Sequence, residues 1–490
     1  MQNAPLSALL PDAFLMIVTV VAWLNDIITG KKGRGLTYVI AVASGLIAAL
    51  WYAVIANDPH SHYYFSNMYV VDPFASLMKS FISLGFAVSL IYSRKYLEER
   101  DLFRGDFYLL ALFSLLGQLV MVSGNNFLTL YLGLELMSLS LYAIIALRRD
   151  VPQSNEAAMK YYVLGALASG FLLYGISMMY GATGSLELHD VFTAIASGRI
   201  NYAVLLFGVI FIVAGIAFKM GAVPFHMWVP DVYHGAPTAM TLLTGGGPKV
   251  AAFAWGLRFL VMGMLPLAVD WQTMLVILAA LSLIVGNITG IVQRNVKRML
   301  AYSAISNMGF VLLGLLSGVV DGKASGAASA YGSAVFYSIT YLLTTLGSFG
   351  IVMLLARRDF EADTLDDFKG LNKRSPVFAF VMLLMMFSLA GIPPTVGFYA
   401  KFAVLEAAVN ANLTWLAVLA VVTSLFGAFY YLRIVKLMYF DEPVDATPIT
   451  TYGGNRALLA LNGLAVLLLG IVPGPLMSSC LQAVRQTLSL

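Results

Sequence analysis

Residues 202–224 read YAVLLFGVIFIVAGIAFKMGAVP. From Tyr202 to Phe218 the run is uncharged, and with the residues around Lys219 it reaches the roughly 20 positions an α-helix needs to cross a bilayer. Its one charge is Lys219, and Gly221 and Pro224, both poor at continuing a helix, follow at once. Lipid satisfies neither a bare ammonium nor the backbone N–H and C=O groups freed by a break. The stretch therefore specifies a membrane helix whose interrupted end faces protein or a polar cavity.

The flanking sequence has the same character. The 490 residues have a mean hydropathy of +0.84, with 60% hydrophobic and 11% charged residues, against roughly 25% charged in soluble domains. A water-soluble core cannot hide that much apolar surface. The apolar residues fall into about 14 runs near residues 10–29, 36–56, 74–92, 107–123, 126–147, 160–180, 202–222, 239–262, 273–292, 299–318, 331–355, 377–409 (interrupted), 414–438 and 457–473. The expected fold is all-α and polytopic. Asn3, Ala4 and Pro5 near the start offer neither a basic segment nor a small-residue cleavage site, so the first run is expected to stay as a helix.

Cations fix the orientation, because they crowd into alternate loops. One set is Lys31, Lys32 and Arg34, then Arg94, Lys95, Arg100 and Arg104, then Arg148, Arg149 and Lys160. Further along come Arg294, Lys297 and Arg298, then Arg357, Arg358, Lys369, Lys373 and Arg374, and last Arg433, Lys436 and Arg456. The positive-inside rule places these loops on the cytoplasmic side and both termini on the other; the loop at 223–238 has no Lys or Arg and follows by parity. The intervening loops hold few cations, such as Arg199 and Lys323. The formal charge of +4 is spread along the chain, so there is no basic footprint for nucleic acid. Cys480 is the only cysteine, which excludes a four-cysteine metal or iron–sulfur site.

A second interrupted run echoes the first. Ala214-Gly215-Ile216 is followed by Gly221, and Ala390-Gly391-Ile392 by Pro393, Pro394 and Gly397, so each Ala-Gly-Ile has a glycine five residues after the isoleucine. The pair points to an internal repeat. Four ionisable residues fall well inside apolar runs, away from the run ends: Glu135, Lys219, Lys249 and Lys401. Each costs about 2.5 to 3.5 kcal/mol at a helix centre. Glu135 and Lys249 sit about 10 residues into their runs, roughly 15 Å deep at 1.5 Å per residue.

A scaffold of static ion pairs is the competing explanation, but one acid against three lysines leaves at least two without an intramembrane carboxylate. Lysine suits a proton relay, because burial opposes its charge while a nearby carboxylate favours it; arginine, with a pKa above about 12, stays charged. Making and breaking a Glu135–Lys219 pair would thus change proton affinity. His226 is a candidate carrier between Lys219 and Lys249 or a cytoplasmic entry, or else a hydrogen-bonded structural histidine. Tyr302, Ser303, Ser306 and Asn307, with Thr340, Tyr341, Thr344 and Thr345, can hold water or bond between helices. Lys79 is close enough to the end of its run to snorkel to water, and His60 and His62 read as outer-loop residues.

The segments KMGAVPFHMWVPDVYHGAP (219–237), Pro248-Lys249, KRMLAYS (297–303) and GIPPTVGFYAK (391–401) resemble the antiporter-like membrane subunits of respiratory complex I, over about residues 70–440. EAAMKYYVLGALASGFLLYGISMMYGATGS (156–185) is similar to the N branch of that family rather than the L or M branches or the cation/proton antiporters. The resemblance implies 14 helices with two inverted five-helix repeats and two broken helices. It divides the chain into an N-terminal three-helix segment (1–105), a first repeat (106–265), a second repeat (266–440) and a C-terminal helix (441–490). It implies a coupled Glu135 and Lys219, a central relay at Lys249, an outlet relay at Lys401, and support from Lys160, His226 and Tyr302. His234, the glycines before Pro248, and Asn307 depart from the family pattern.

The implied activity is translocation of protons in the bacterial inner membrane, as part of an NADH:quinone oxidoreductase. FMN, iron–sulfur clusters, NADH and quinone would bind other subunits, with none in this chain and no metal site. Partners would be membrane-arm subunits such as M, K and J, and the lipid bilayer. The alternative activity is that of a sodium/proton antiporter subunit.

Overall fold

The structure is a computed structural model that describes every residue except 1–4, 321, 323–325, 359, 445, 446, 448, 450–452, 489 and 490. The first four residues and Lys323 therefore lie outside the described residues. Helices α1 (Leu10–Thr29) and α2 (Arg34–Ile55) are joined by a 3-10 turn and form a continuous apolar hairpin. A short antiparallel pair, β1 (His62–Tyr64) and β2 (Tyr69–Val71), leads to α3 (Pro73–Glu99). That helix starts where Asp72 caps it, its carboxylate accepting from Ala75 N at 2.7 Å, with Pro73 in the first turn.

The first half of the body comprises α4 (Gly105–Ser123), α5 (Phe127–Ile145), α6 (Pro152–Thr183), the short α7 (Leu188–Ala196), α8 (Tyr202–Met220), α9 (Trp228–Gly235), α10 (Thr238–Gly245) and α11 (Gly247–Leu257). The second comprises α12 (Ala268–Ile291), α13 (Val296–Leu316), α14 (Ala327–Leu355), the single turn α15 (Leu371–Arg374), α16 (Pro376–Ala390), α17 (Val396–Asn410) and α18 (Thr414–Phe440). The chain closes with α19 (Gly453–Ile471) and α20 (Gly474–Leu488).

Among the described residues, 11 helical segments are long and apolar enough to cross a membrane, the first holding both α1 and α2. With α10–α11 and α16–α17 each counted as one crossing, they account for the about 14 passes expected. Both expected interruptions are present. α8 ends at Gly221 with φ +74 and α16 at Gly391 with φ +81, left-handed caps that cost a glycine little. Pro224 and Pro394 follow, each after a cis peptide bond.

A third interruption corrects the expectation of one uninterrupted run at 239–262. Gly246, with φ −91 and ψ −104, separates α10 from α11, and a π-helix at Arg258–Gly263 ends the pass. Three successive glycines lack side chains to hold a helix, and Pro248 contributes no N–H.

The centre of the bundle is α13 and α14, whose apolar windows are 94% and 89% buried, against 22% for α19 at the rim. Bundles without a hydrophobic drive between helices rely on close backbone contact. Here a Cβ on Gly117 of α4 would lie 2.4 Å from Met137 N of α5, and one on Gly286 of α12 would lie 2.7 Å from Ser306 N of α13.

Candidate functional site

Lys219 occupies the last turn of α8, where carbonyls without intrahelical partners and the negative end of the helix dipole favour a cation. Its side chain is 5% exposed. The Nζ donates to Ser138 Oγ at 2.7 Å and Tyr142 OH at 3.3 Å. Glu135 lies one turn before Ser138 on α5, half-buried, and accepts from Ser169 Oγ at 2.5 Å. Acid and lysine thus form no direct ion pair, although Glu135 is the acid whose field acts on Lys219. Ser138, at i+3 from Glu135, stands on the same stretch of helix surface between them.

Lys249, 1% exposed, opens α11 and donates from Nζ to Met220 O, the residue after Lys219, at 2.8 Å. The missing side chain of Gly221 makes room for it, since a Cβ there would lie 3.1 Å from the Nζ. Trp228 of α9 donates to Phe218 O at 2.8 Å and offers its ring to Lys249 at 5.6 Å. The second break repeats the device. Lys401 of α17 donates to Leu389 O at 2.9 Å and Ala390 O at 3.1 Å, the end of α16, and to Ser424 Oγ at 2.8 Å.

The supporting positions are more scattered. Lys160, in the second turn of α6, pairs with Asp231 of α9 at 2.7 Å and Glu156 at 2.7 Å, and Arg298 joins the same Asp231 at 2.8 Å. His226 lies half-buried between α8 and α9, its Nδ1 buried and without a hydrogen-bond partner among the described residues. Tyr302 packs partly buried on the core, and its neighbours carry the polar contacts: Tyr337 OH donates to Asn307 Oδ1 at 2.7 Å, and Ser303 Oγ and Tyr431 OH are 2.5 Å apart.

Among the described residues, several buried charges escaped the sequence reading. Lys79 does not snorkel: it is 1% exposed and bonds Asp12 at 3.0 Å and Tyr69 OH at 2.6 Å. Arg258 pairs with Asp72 at 2.8 Å in full burial. Lys297, counted above among loop cations, is 2% exposed. Their partners are 67 residues away for Lys79 and 186 for Arg258, which no local pattern reveals. At the outer hairpin, His60 and His62 both contact Asp58, at 3.0 and 2.9 Å. Partial burial opposes the Asp58 charge, but the bonds from His62 and His60 hold its carboxyl at about 2.

The all-α bundle has known counterparts. Residues 124–427 match the family described as NADH:quinone oxidoreductase/Mrp antiporter, TM, and that defines the class. NADH-quinone oxidoreductase subunit N of Paraburkholderia phymatum is 78% identical, with 100% of both chains covered. The chain belongs to the NADH-quinone oxidoreductase subunit N family. A chain of respiratory complex I from Thermus thermophilus is 30% identical with a TM-score of 0.81, covering 96% of this chain and 98% of that one. A chain of the Mrp complex from Dietzia sp. shares the fold at 19% identity, with a TM-score of 0.85 over 98% and 97% of the two chains.

Proposed function

We propose that this chain moves protons through a relay of Glu135, Lys219, Lys249 and Lys401, driven by quinone reduction elsewhere in an NADH:quinone oxidoreductase. The observation that carries the proposal is the seating of Lys249 and Lys401 on the carbonyls at the interrupted ends of α8 and α16. A carbonyl solvates an ammonium without cancelling its charge, so each lysine can lose its proton without abandoning a carboxylate partner. Lys219 stands in the last turn of α8 and Lys249 bonds the carbonyl of the next residue, Met220, so the end of one helix links the two lysines. His226, between α8 and α9, is the supporting position nearest that link in the chain, while Lys160 acts from its pairs with Asp231 and Glu156 and Tyr302 from α13.

The two interrupted halves, 106–265 and 266–440, read as an inverted repeat behind the N-terminal segment 1–105, and 441–490 holds two helices, α19 and α20, where one was expected. The cation-rich loops support a reading with both termini on the periplasmic side of a bacterial inner membrane. Partners are membrane-arm subunits such as M, K and J, and FMN, iron–sulfur clusters, NADH and quinone belong to other chains.

The test is Lys249→Ala in the assembled complex. Proton uptake into inverted vesicles, measured per NADH oxidised, is expected to fall while the complex remains present in the membrane. Undiminished pumping removes the relay. Sodium-for-proton exchange by the isolated chain in vesicles, without NADH, favours the antiporter reading instead.

A further inference from the structure

Lys297 is the second residue of α13, yet its side chain turns inward and is 2% exposed. Its Nζ donates to Ala236 O at 2.8 Å, and Ala236 is the residue at which α9 stops. It therefore repeats the arrangement of Lys249 on the end of α8 and Lys401 on the end of α16. No carboxylate among the described residues bonds it directly. The acids whose fields reach it are Glu361 and Asp363, on the loop after α14.

Glu361 gathers the surrounding elements. Its carboxylate accepts from Tyr96 OH at 2.8 Å, Arg100 Nε at 3.2 Å, Arg148 Nη1 at 3.2 Å and Thr238 Oγ1 at 3.4 Å. Tyr96 OH in turn accepts from Thr238 N at 3.0 Å, so the loop clamps the link between α9 and α10 on which Lys297 sits. Burial opposes the charge of Glu361, but Lys297, Arg100 and the Tyr96 bond outweigh it and hold the carboxyl below its ordinary range. Glu361 is thus a standing anion. Of the three cations around it, two are arginines that keep their protons at any physiological pH, and only the lysine can exchange one.

Buried hydroxyls line α10 from this point, those of Thr241 and Thr244 donating to backbone carbonyls. Thr238, Thr241 and Thr244 recur every three residues along α10, all buried, and α10 ends at the Gly245–Gly246 break just before Lys249. From Thr238 to Lys249 is 11 residues, on the order of 16 Å at helical rise. A Cβ on Gly245 would meet Tyr233 OH at 2.7 Å, which puts a further hydroxyl beside the break.

We infer that Lys297, with Glu361 as its counter-ion, is the proton-uptake station on the cytoplasmic side of this channel, passing protons along the α10 hydroxyls to Lys249. Lys297 as ammonium gives one proton to those hydroxyls, becomes the neutral amine, and regains a proton from inner water, so charge and protons balance over a cycle. The inference rests on the proton-relay reading above.

The test compares Lys297→Arg, Glu361→Gln and Lys249→Ala in the whole complex, with assembly, electron transfer from NADH to quinone and proton uptake by inverted vesicles measured together. Arginine keeps the charge and a donor for Ala236 O but cannot release a proton. Lys297→Arg is therefore expected to assemble and to pump roughly tenfold or more slowly, a loss that a purely structural role would not produce. Glu361→Gln preserves size and an acceptor for Tyr96 while removing the anion, and is expected to impair pumping as well.

Wild-type pumping by either assembled variant overturns the inference. Failure of both to assemble does so too, by marking the cluster as a structural staple. If Lys249→Ala pumps normally, the relay itself fails. If Lys249→Ala is impaired and Lys297→Arg is not, the relay stands and only the uptake station falls.

Discussion

A buried lysine on a backbone carbonyl and a buried lysine on a carboxylate differ in what deprotonation leaves behind. Lys219 bonds two hydroxyls, and Lys249 and Lys401 bond carbonyls, so the neutral amine abandons no anion. Ser138→Ala removes the shorter contact of Lys219 and costs about 1–3 kcal/mol. Proton transfer is expected to slow by roughly tenfold for each 1.4 kcal/mol that falls on the barrier, read as vesicle acidification per NADH oxidised; Tyr142→Phe, at 3.3 Å, is expected to cost less. The Arg258–Asp72 pair is the opposite case, fixed and fully buried. Arg258→Ala strands Asp72 and is expected to destabilise by about 3–5 kcal/mol, seen as loss of the folded subunit in detergent thermal melts. Charges inside apolar runs are legible in a sequence because hydropathy exposes them, which is why Glu135, Lys219, Lys249 and Lys401 stood out. Lys79 and Lys297 lie near run ends, where hydropathy does not distinguish a snorkelling lysine from one bent inward; the contacts to Asp12 and Ala236 O that decide the matter are tertiary.

The broken helices show the same division between local and tertiary information. Gly221 and Gly391 were legible because a left-handed cap asks for glycine and a following proline ends the ladder. The α10–α11 break was only half legible: its glycine run is visible, but a glycine run also suits close packing, and only Gly246 at ψ −104 distinguishes the two. Gly221→Ala tests the device. Alanine would be held at φ +74 with its Cβ 2.7 Å from Val229 Cγ2 and 3.1 Å from Lys249 Nζ. Backbone strain alone is about 1–3 kcal/mol. Displacement of Lys249 is expected to lower pumping more than it lowers the amount of assembled complex, measured on the same membranes. Gly133→Leu should act differently. A Cβ at that position would already lie 2.7 Å from Met121 N, so α4 and α5 must separate, carrying Glu135 and Ser138 with them. Assembly itself is expected to fail, checked by the subunit content of solubilised membranes. Gly286 makes the matching contact between α12 and α13, and this shared construction supports the repeat more strongly than the short Ala-Gly-Ile echo did.

At the scale of the molecule, one property determines what the whole arrangement means: which face is inside. Transport direction follows from it, because Lys297 and Glu361 form an entrance only if the face bearing Arg100 and Arg148 meets the cytoplasm. Cation crowding in alternate loops argues that it does. The helix succession agrees, since loops 30–33, 148–151 and 356–375 fall on one side of an alternating path and the 56–61 loop on the other. The chain is suited to a direct measurement, because its single cysteine, Cys480, is 0% exposed and should react little with a polar maleimide. Lys32 and Arg149 are exposed in cation-rich loops, and His60 is exposed in the opposite loop, its side chain 77% accessible. In a membrane-impermeant maleimide assay, His60→Cys is expected to label in right-side-out spheroplasts, and Lys32→Cys and Arg149→Cys only in inverted vesicles. The reverse pattern would leave every contact described here intact and yet turn the channel over. Lys297 would then stand at the exit, Lys401 would lie on the uptake branch, and the assignment of roles, though not of residues, would have to be exchanged.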